Sequence, residues 1–512
     1  MNSLRRIASS ATALSSDRAL IMAAAGSWMF VAMAALIITG ASQMTAPPEA
    51  LELALQCIGS SAVVIIAGLL ICRLSLRRVW SKGLLAVFAL LATLMCVGVT
   101  INIQGWCEGT GVWAPRFPDY SDSDIIWRST LAHYGAGYFP WPHNTGYPLI
   151  LTTLFRVFGG GALTAALASA MCILLSTAAT AATCVRLFPA HSPRKVAIAG
   201  AALFAVIPSM VWYGTLIMKE APAILGFALC TYTLATAAKG RLTTGSILTG
   251  AGGAALLMLV KCPLGWLLLI GVVLITIKTF IGLLRKGALR HGSLGSLNGM
   301  LYLLLLCGAI IVGGRNFRFT TDTELLNART STAYAPDADK HVESTEQVML
   351  GYESVKNYSK ILGDYYTTPL LSRVMRLPLT ASAQYFPPFP WNFNRDKDLS
   401  HFVPWAHLPL WYPVGGLVLG YFVLCLWRRK TRGDLGTWSL WVLICWCGIA
   451  LASAGSVARY WLPIVPAMIP LAVQALVCMR SGTVSRRVII SYCSAYAVLL
   501  VVALILAYHL LY

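Results

Sequence analysis

The sequence predicts an all-α, multi-pass membrane protein with about 13 transmembrane helices. The 512 residues are 57% hydrophobic and 11% charged, with a mean hydropathy of +0.70. A soluble domain has a charged fraction of about 25%. The apolar runs are about 17–25 residues long, which suits membrane helices and is too long for the strands of a membrane β-barrel.

The apolar runs place the predicted spans in order along the chain. They are 20–40, 52–72, 84–103, 160–185, 196–213, 220–237, 245–260, 263–283, 297–314, 408–427, 437–455, 459–479 and 488–511. The first run follows three arginines and is longer than the core of a signal peptide, about 7–15 residues. We therefore expect it to be a retained anchor.

The charges set the orientation of these spans. Of the 39 Lys and Arg residues, 23 fall on one side of the predicted membrane and 16 on the other, and ten of those 16 lie in one loop, 315–407. On the side poor in basic residues lie 17 of the 19 acidic residues. The positive-inside rule then predicts a cytoplasmic N-terminus. Because the basic charge follows the topology, we expect it to face membrane lipid, and we expect no nucleic-acid partner.

This topology divides the chain into four parts. They are a cytoplasmic tail with two N-terminal membrane helices (1–83), a transmembrane core with an external loop at 104–159 (84–314), a larger external loop with an interfacial helix (315–407), and C-terminal membrane helices (408–512). The interfacial helix is expected near residues 370–380, where Arg373 and Arg376 are spaced to share its polar side. Further short helices beside the membrane are expected in the first external loop.

The first external loop carries the acidic residues that are most open to a chemical interpretation. Asp122 and Asp124 lie two residues apart, just ahead of the stretch IIWRSTLAHY. One interpretation is a helix N-terminus with solvated carboxylates. The other is a general base or metal ligand above a cavity in the membrane, where polar groups are tolerated for a function.

Several segments of the chain resemble GT-C glycosyltransferases of the family 39 type, which include protein O-mannosyltransferases and bacterial lipid A aminoarabinose transferases. In the first external loop, the resemblance lies in the acidic residues, Trp127, and NTGYPLILTTLFRVFG leading into a span. Three further segments match in order: MKEAPAIL at 218–225, LTGAGGAALLMLVKCPLGWLLLI at 248–270, and RYWLPIVPAMIPLA at 459–472. The family often has Asp-Glu in this loop, and His-Pro-Pro or Lys-Pro-Pro before the amphipathic helix. This chain has Asp-Ser-Asp and Gly146-Tyr147-Pro148.

The resemblance implies a GT-C-like core and transfer of a sugar from a polyprenyl-phosphate donor to an envelope acceptor, which is a glycan, a lipid or a protein. It implies catalysis on the outer face of a bacterial inner membrane. Such a transfer needs a carboxylate that deprotonates the acceptor hydroxyl and cations that hold the departing phosphate.

The residues expected to act in this transfer fall into two groups. The catalytic candidates are Asp122, Asp124 and Glu220, and the substrate-binding candidates are Arg459, Tyr460, Lys261, Lys219 and His143. The three carboxylates are also the ligands that Mg²⁺ or Mn²⁺ would use, if a divalent cation takes part. Alternatives without a catalytic role remain: a helix N-terminal charge for Glu220, a local pair of Lys219 with Glu220, a charge at a short helix–helix turn for Lys261, and a snorkelling interfacial arginine for Arg459.

Two other functions remain open at this point. A polymerase or ligase would also act on lipid-linked sugar at the outer face. A flippase or transporter is expected to have charges at mid-membrane, broken helices and repeat symmetry. The predicted spans hold almost no charge, and this favours chemistry at the membrane surface.

Overall fold

The structure is a computed structural model of the chain. It describes residues 48–111, 113–117, 122–131, 134, 146–158, 161–240, 242–261, 263–285, 301, 303–312, 370–377, 380–381, 402–427, 435–452 and 461–511. Within these ranges the regular structure is helical and no strand occurs. This agrees with the predicted all-α class.

Sixteen α-helices in the described ranges are labelled here in chain order. They are α1 (Pro48–Ser75), α2 (Lys82–Cys107), α3 (Asp122–Leu131), α4 (Gly146–Phe158), α5 (Gly161–Leu187), α6 (Pro193–Ala205), α7 (Pro208–Thr215), α8 (Glu220–Ala238), α9 (Thr244–Lys261), α10 (Pro263–Arg285), α11 (Leu303–Val312), α12 (Leu370–Met375), α13 (Phe402–Trp427), α14 (Gly436–Ala452), α15 (Val465–Arg480) and α16 (Arg486–Leu511).

The protein is embedded in a membrane. Among the described helices, eight are long and apolar enough to cross a bilayer, and a ninth crossing is counted when the bent pair α6 and α7 is taken as one span. Each predicted span from 52–72 onward overlaps a helix, and the span 20–40 lies outside the described residues. In the predicted spans at α11, α13 and α14, the apolar stretches counted are shorter, at 10–17 residues: Leu303–Val312, Pro409–Cys425 and Gly436–Leu451. The number thirteen and the orientation therefore remain predictions.

Helices α8 and α9 pack closely because both present glycines at their interface. A Cβ atom on Gly253 would lie 2.7 Å from the Gly226 carbonyl oxygen, and one on Gly250 would lie 2.8 Å from Thr233 Cγ2. Small residues let two helices approach until their backbones touch. These contacts make the pair antiparallel, so the first residue of α8, Glu220, comes to lie beside the last residue of α9, Lys261.

The predicted span 196–213 is bent and is not one straight helix. Its two halves, α6 and α7, meet at an angle of 66°. Pro208 causes the break, because proline disfavours the helical conformation of the residue before it, and Ile207 is extended with ψ 112°. Asn102 on α2 holds the far end of α7, since its Nδ2 donates to the Thr215 carbonyl oxygen at 3.1 Å.

The short amphipathic helix α4 contacts three other helices. Its Thr152 Oγ1 donates to the Thr130 carbonyl oxygen of α3 at 3.2 Å, and Tyr147 shares a hydrogen bond of 3.1 Å with Ser169 of α5. Gly146 abuts α9 so closely that a Cβ atom would overlap the Leu259 carbonyl oxygen. Helix α4 therefore links the predicted acidic loop to the packed helices.

The N-terminal helix α1 packs against the rest of the bundle. Cys72 Sγ donates to the Leu174 carbonyl oxygen of α5 at 3.6 Å. A Cβ atom on Gly68 would lie 2.7 Å from Met171 Sδ, also on α5. Helix α1 was assigned from sequence to a separate N-terminal part, and here it lies directly on a core helix.

Toward the C-terminus, aromatic side chains join the helices. Trp411 of α13 packs against Trp461, with the rings tilted by 31° and 4.4 Å between their centroids. Tyr492 of α16 donates its hydroxyl to the Gly416 carbonyl oxygen at 2.6 Å. The predicted span 459–479 overlaps a candidate membrane span at Leu462–Arg480, which consists of a 3₁₀ turn at Leu462–Ile464 followed by α15.

Of the long loop 315–407, which was predicted to be external, the structure describes one short helix and the start of α13. Helix α12 lies within the stretch predicted to be an interfacial helix, and Thr380 N donates to the Arg376 carbonyl oxygen at 2.9 Å just beyond it. The exposed side chains of Leu371 and Met375 agree with a position at a lipid surface.

Candidate functional site

The structure describes five of the eight predicted site residues. Asp122 and Asp124 lie in the first turn of α3, Glu220 begins α8, Lys219 precedes it, and Lys261 ends α9. His143, Arg459 and Tyr460 lie outside the described residues. That the first-loop carboxylates and Arg459 line one cavity therefore remains a prediction.

Asp124 forms an ion pair within its own helix. Helix α3 begins at Asp122, as the acidic N-terminus predicts, because a carboxylate stabilises the positive end of a helix. Asp124 is buried, and Arg128 Nε donates to its Oδ1 at 2.9 Å. The Arg128 side chain is 48% exposed. Arg128 was missed in the sequence, although its spacing of four residues from Asp124 is the spacing of a helical ion pair.

Glu220 and Lys261 form the second ion pair, and this one joins two helices. Lys261 Nζ lies 3.5 Å from Glu220 Oε1, and the two side chains are 14% and 1% exposed. The antiparallel packing of α8 and α9 at Gly226 and Gly253 brings these two side chains together. A buried ion pair is stable only when the remaining polar atoms of the two groups are also hydrogen-bonded.

Glu220 does not meet that condition within the described residues. Its second oxygen, Oε2, is buried and has no hydrogen-bond partner among them. A buried carboxylate oxygen without a donor carries the full cost of its lost hydration. Such an atom marks a place where a further group, from a ligand or from water, is needed.

Tyr147 of α4 is buried, and this burial raises the pKa of its phenol above the ordinary value. The hydrogen bond to Ser169 lowers that pKa, and electrostatic interactions with Cys172 and Glu220 raise it. The Tyr147 phenol is therefore protonated at neutral pH. The sequence offered only a weak signal for this residue, namely its place at the start of an amphipathic helix.

The backbone just before Glu220 is irregular and buried. Residues 216–219 are not helical, and Leu216, Ile217 and Met218 are all less than a tenth exposed. Lys219 is half-buried, and its carbonyl oxygen accepts from Ala223 N at 3.1 Å. Irregular backbone within a membrane protein occurs where protein covers it or where it lines a water-filled cavity.

Asp124 and Glu220, the two proposed metal ligands whose side chains the structure describes, each face a cation of the protein. Asp124 already faces the Arg128 guanidinium at 2.9 Å, and Glu220 faces the Lys261 ammonium at 3.5 Å. Mg²⁺ and Mn²⁺ favour carboxylates whose negative charge is available to the metal. In the described part of the chain, no three metal-binding side chains lie together.

Aromatic rings surround the Asp124 side of the site. Trp127 and Trp113 each contact the buried ring of Phe155, at 5.5 and 5.6 Å between centroids. Trp113 also packs on Tyr134 at 5.7 Å, and both rings are about two-fifths exposed (42% and 40%). This packing fixes α3 against α4.

No protein-family model matches this chain, and no similar protein was found among curated proteins. The resemblance to GT-C glycosyltransferases therefore depends on the motifs in the sequence.

Proposed function

We propose that this protein is a membrane glycosyltransferase that moves a sugar from a polyprenyl-phosphate donor to an envelope acceptor, which is a glycan, a lipid or a protein. We further propose that it works at the outer face of a bacterial inner membrane and has its N-terminus in the cytoplasm. The observation that carries this proposal is the link that α4 makes between two buried, ion-paired carboxylates. It contacts the helix of Asp124 through Thr152, and through Gly146 it packs on Leu259 of α9, two residues before the Lys261 that pairs with Glu220.

In the proposed reaction a carboxylate of the first loop, Asp124 or Asp122, takes the proton of the acceptor hydroxyl. The acceptor oxygen then forms a bond to the anomeric carbon of the sugar. The bond from that carbon to the phosphate oxygen breaks, and the phosphate leaves with the electron pair. A carboxylate within hydrogen-bond reach of the attacking oxygen is a suitable general base.

The departing polyprenyl phosphate needs a cation at the membrane boundary. Lys261 was predicted for this role, but it contacts Glu220 at 3.5 Å. We therefore assign the phosphate to Arg459 and Lys219, with Tyr460 and His143 as further substrate contacts. In this assignment the Glu220–Lys261 pair holds the sugar side of the donor.

The distribution of charge supports an enzyme acting at the membrane surface. In the described candidate spans the charged residues stand at helix ends, with Lys278 in α10 as the exception. Transport of a charged or polar cargo through the bilayer is expected to need such groups at mid-membrane.

A flippase or transporter remains the second candidate, because one observation favours it. Helices α6 and α7 form a broken span with a 66° bend, and broken helices are frequent at transporter binding sites. A flippase would move the lipid-linked sugar with the sugar–phosphate bond intact. A glycosyltransferase breaks that bond, and so does a polymerase or ligase, for which the acceptor is a growing glycan.

The experiment uses purified protein in liposomes with short-chain polyprenyl phosphates bearing radiolabelled mannose, glucose or arabinose, together with an envelope extract as acceptor. We expect label to appear on the acceptor, and Asp122→Asn/Asp124→Asn to lower the rate by 100-fold or more, about the contribution of a general base. Glu108→Gln is the control, because Glu108 is an exposed carboxylate at the end of α2. Full turnover by the double variant, or movement of intact donor across the membrane, would contradict the proposal.

A further inference from the structure

We propose that Lys82, Arg194 and Lys195 form a basic surface that binds the phosphate of an anionic phospholipid, and that an acyl chain of this lipid lies on the exposed face of α2. The basic surface is at the end of the bundle where α2 and α6 both begin. Three features of the described residues carry the proposal: the contact between α2 and α6, the sign of the charge, and the apolar face that adjoins Lys82.

The basic surface combines two segments that are far apart in the sequence. A Cβ atom on Gly83 would lie 2.9 Å from Ile198 Cδ1, so the first turn of α2 rests on α6. Lys82 is the neighbour of Gly83, and Arg194 and Lys195 lie one turn before Ile198 on the same face of α6. All three cationic side chains are exposed. The packing of α2 on α6 therefore brings three exposed cations to one end of these helices.

The charge at this end of the bundle is positive. Arg77 and Arg78, which are also exposed, stand in the turn just before α2. Carboxylates of the described residues lie elsewhere, in the first two turns of α1, just after α2, in α3 and at the start of α8. In the predicted topology, Asp17 and Asp434 are the acidic residues on this side. Basic segments of this kind attract the anionic lipids of the cytoplasmic leaflet.

The basic surface is separate from the candidate functional site. Near the far end of α2, Asn102 Nδ2 donates to the Thr215 carbonyl oxygen at 3.1 Å, and Thr215 precedes Glu220 by five residues. Helix α2 has 26 residues and is therefore about 39 Å long. Lipid binding at the basic surface thus lies on the opposite side of the membrane from the proposed sugar transfer and does not depend on it.

The neighbouring residues place the basic surface at the depth of the lipid headgroups. Trp80, in the turn before α2, is half-buried and stacks on Phe88 with 5.6 Å between centroids. Tryptophan is enriched at the boundary between membrane and water. Ala86 and Leu90 follow Lys82 at intervals of four residues, and both are exposed, Leu90 by 59%. A lipid whose phosphate is at Lys82 therefore covers this apolar face with an acyl chain.

The positive charge selects among lipids that have the same phosphate and the same acyl chains. Lysine and arginine bind phosphate through charge-assisted hydrogen bonds. In phosphatidylcholine a choline cation stands beside the phosphate, and the basic surface repels it. Phosphatidylglycerol has a neutral glycerol in that place and keeps a net negative charge. The basic surface is therefore expected to prefer phosphatidylglycerol.

The test is native mass spectrometry of the full-length protein in detergent. The protein is titrated with dioleoyl phosphatidylglycerol, dioleoyl phosphatidylcholine, dihexanoyl phosphatidylglycerol or inorganic phosphate. We expect the first dioleoyl phosphatidylglycerol to bind about tenfold more tightly than the first dioleoyl phosphatidylcholine. The dihexanoyl lipid should bind more weakly than the dioleoyl lipid, because its chains are too short to cover the face of α2. Inorganic phosphate should not displace the bound lipid.

Lys82→Gln/Arg194→Gln/Lys195→Gln should lower the preference for phosphatidylglycerol to about twofold or less. Binding of phosphatidylcholine should be unchanged, which shows that the variant is folded.

The matched control is Arg480→Gln/Arg486→Gln/Arg487→Gln. It removes the same charge from three exposed arginines, at the end of α15 and the start of α16, on the same predicted side of the membrane. This variant should keep the preference of the natural protein.

Four results would overturn the proposal. One is equal binding of the two dioleoyl lipids by the natural protein, and another is a preference that persists when Lys82, Arg194 and Lys195 are replaced. The third is an equal loss of preference in the control, because the preference would then follow total charge. The fourth is displacement of the lipid by an equal concentration of inorganic phosphate, which would indicate a site for a soluble anion.

Discussion

The two ion pairs of the site are made in opposite ways. Asp124 and Arg128 are neighbours on one helix, and the arginine is half in solvent. Glu220 and Lys261 come from two helices and are both largely buried. A pair of the first kind forms wherever its helix forms, whereas the second exists only when the helices pack in the correct register. We infer that the Asp124 pair adjusts local geometry and that the Glu220 pair is tied to the stability of the bundle.

The largest expected effect comes from breaking the buried pair. Lys261→Met leaves the Glu220 charge buried without its cation, and loss of one partner of a buried ion pair costs about 3–5 kcal/mol. We expect a clear fall in the free energy of unfolding, measured by thermal denaturation in detergent. Glu220→Gln/Lys261→Met should recover most of the lost free energy of unfolding, since no charge is then buried without a partner. Strictly additive losses in this double-mutant cycle would show that the two side chains are not coupled.

A smaller effect is expected from disturbing the helix packing that creates the pair. In Gly253→Ala the new methyl group would lie 2.7 Å from the Gly226 carbonyl oxygen, so α8 and α9 must move apart. Overpacking of this kind costs about 1–3 kcal/mol. The matched control is Gly252→Ala, because a Cβ atom there meets nothing within 4 Å. Equal melting temperatures for the two variants would contradict the packing described for this interface.

The smallest effect is expected at the local pair. Arg128→Ala removes a partly exposed partner four residues from Asp124, and such helical pairs contribute about 0.3–0.5 kcal/mol. Arg156→Ala, at an exposed arginine in the last turn of α4, is the comparison. A stability loss at Arg128 as large as that of Lys261→Met would remove the distinction between the two pairs.

What could be predicted from the sequence follows the same division between local and tertiary structure. The helical class, most span positions and the acidic start of α3 were predicted, because apolar runs and helix termini depend on residues that are close together in the sequence. Pro208 was also visible in the sequence, yet a single span, 196–213, was predicted there without a break. In soluble or membrane helices a proline can kink or end the helix, and the sequence alone does not decide which.

The contacts between the site residues were harder to predict from the sequence than the residues themselves. Glu220 and Lys261 were both chosen from sequence, but for separate roles, a carboxylate for chemistry and a phosphate clamp. Their contact depends on the glycine-mediated register of α8 and α9, which no local pattern specifies. The hydrogen bond between Tyr147 and Ser169 likewise depends on how α4 packs against α5.

The bend between α6 and α7 has a consequence for the lipid around the protein. Helix α6 has 13 residues and α7 has eight. At 1.5 Å per residue, with α6 along the membrane normal and α7 tilted by 66°, the pair reaches only about 24 Å. The hydrocarbon layer is about 30 Å thick, and a bilayer meets so short a segment by thinning locally. Beside α6 and α7 the two headgroup layers are therefore expected to lie closer together than elsewhere around the protein.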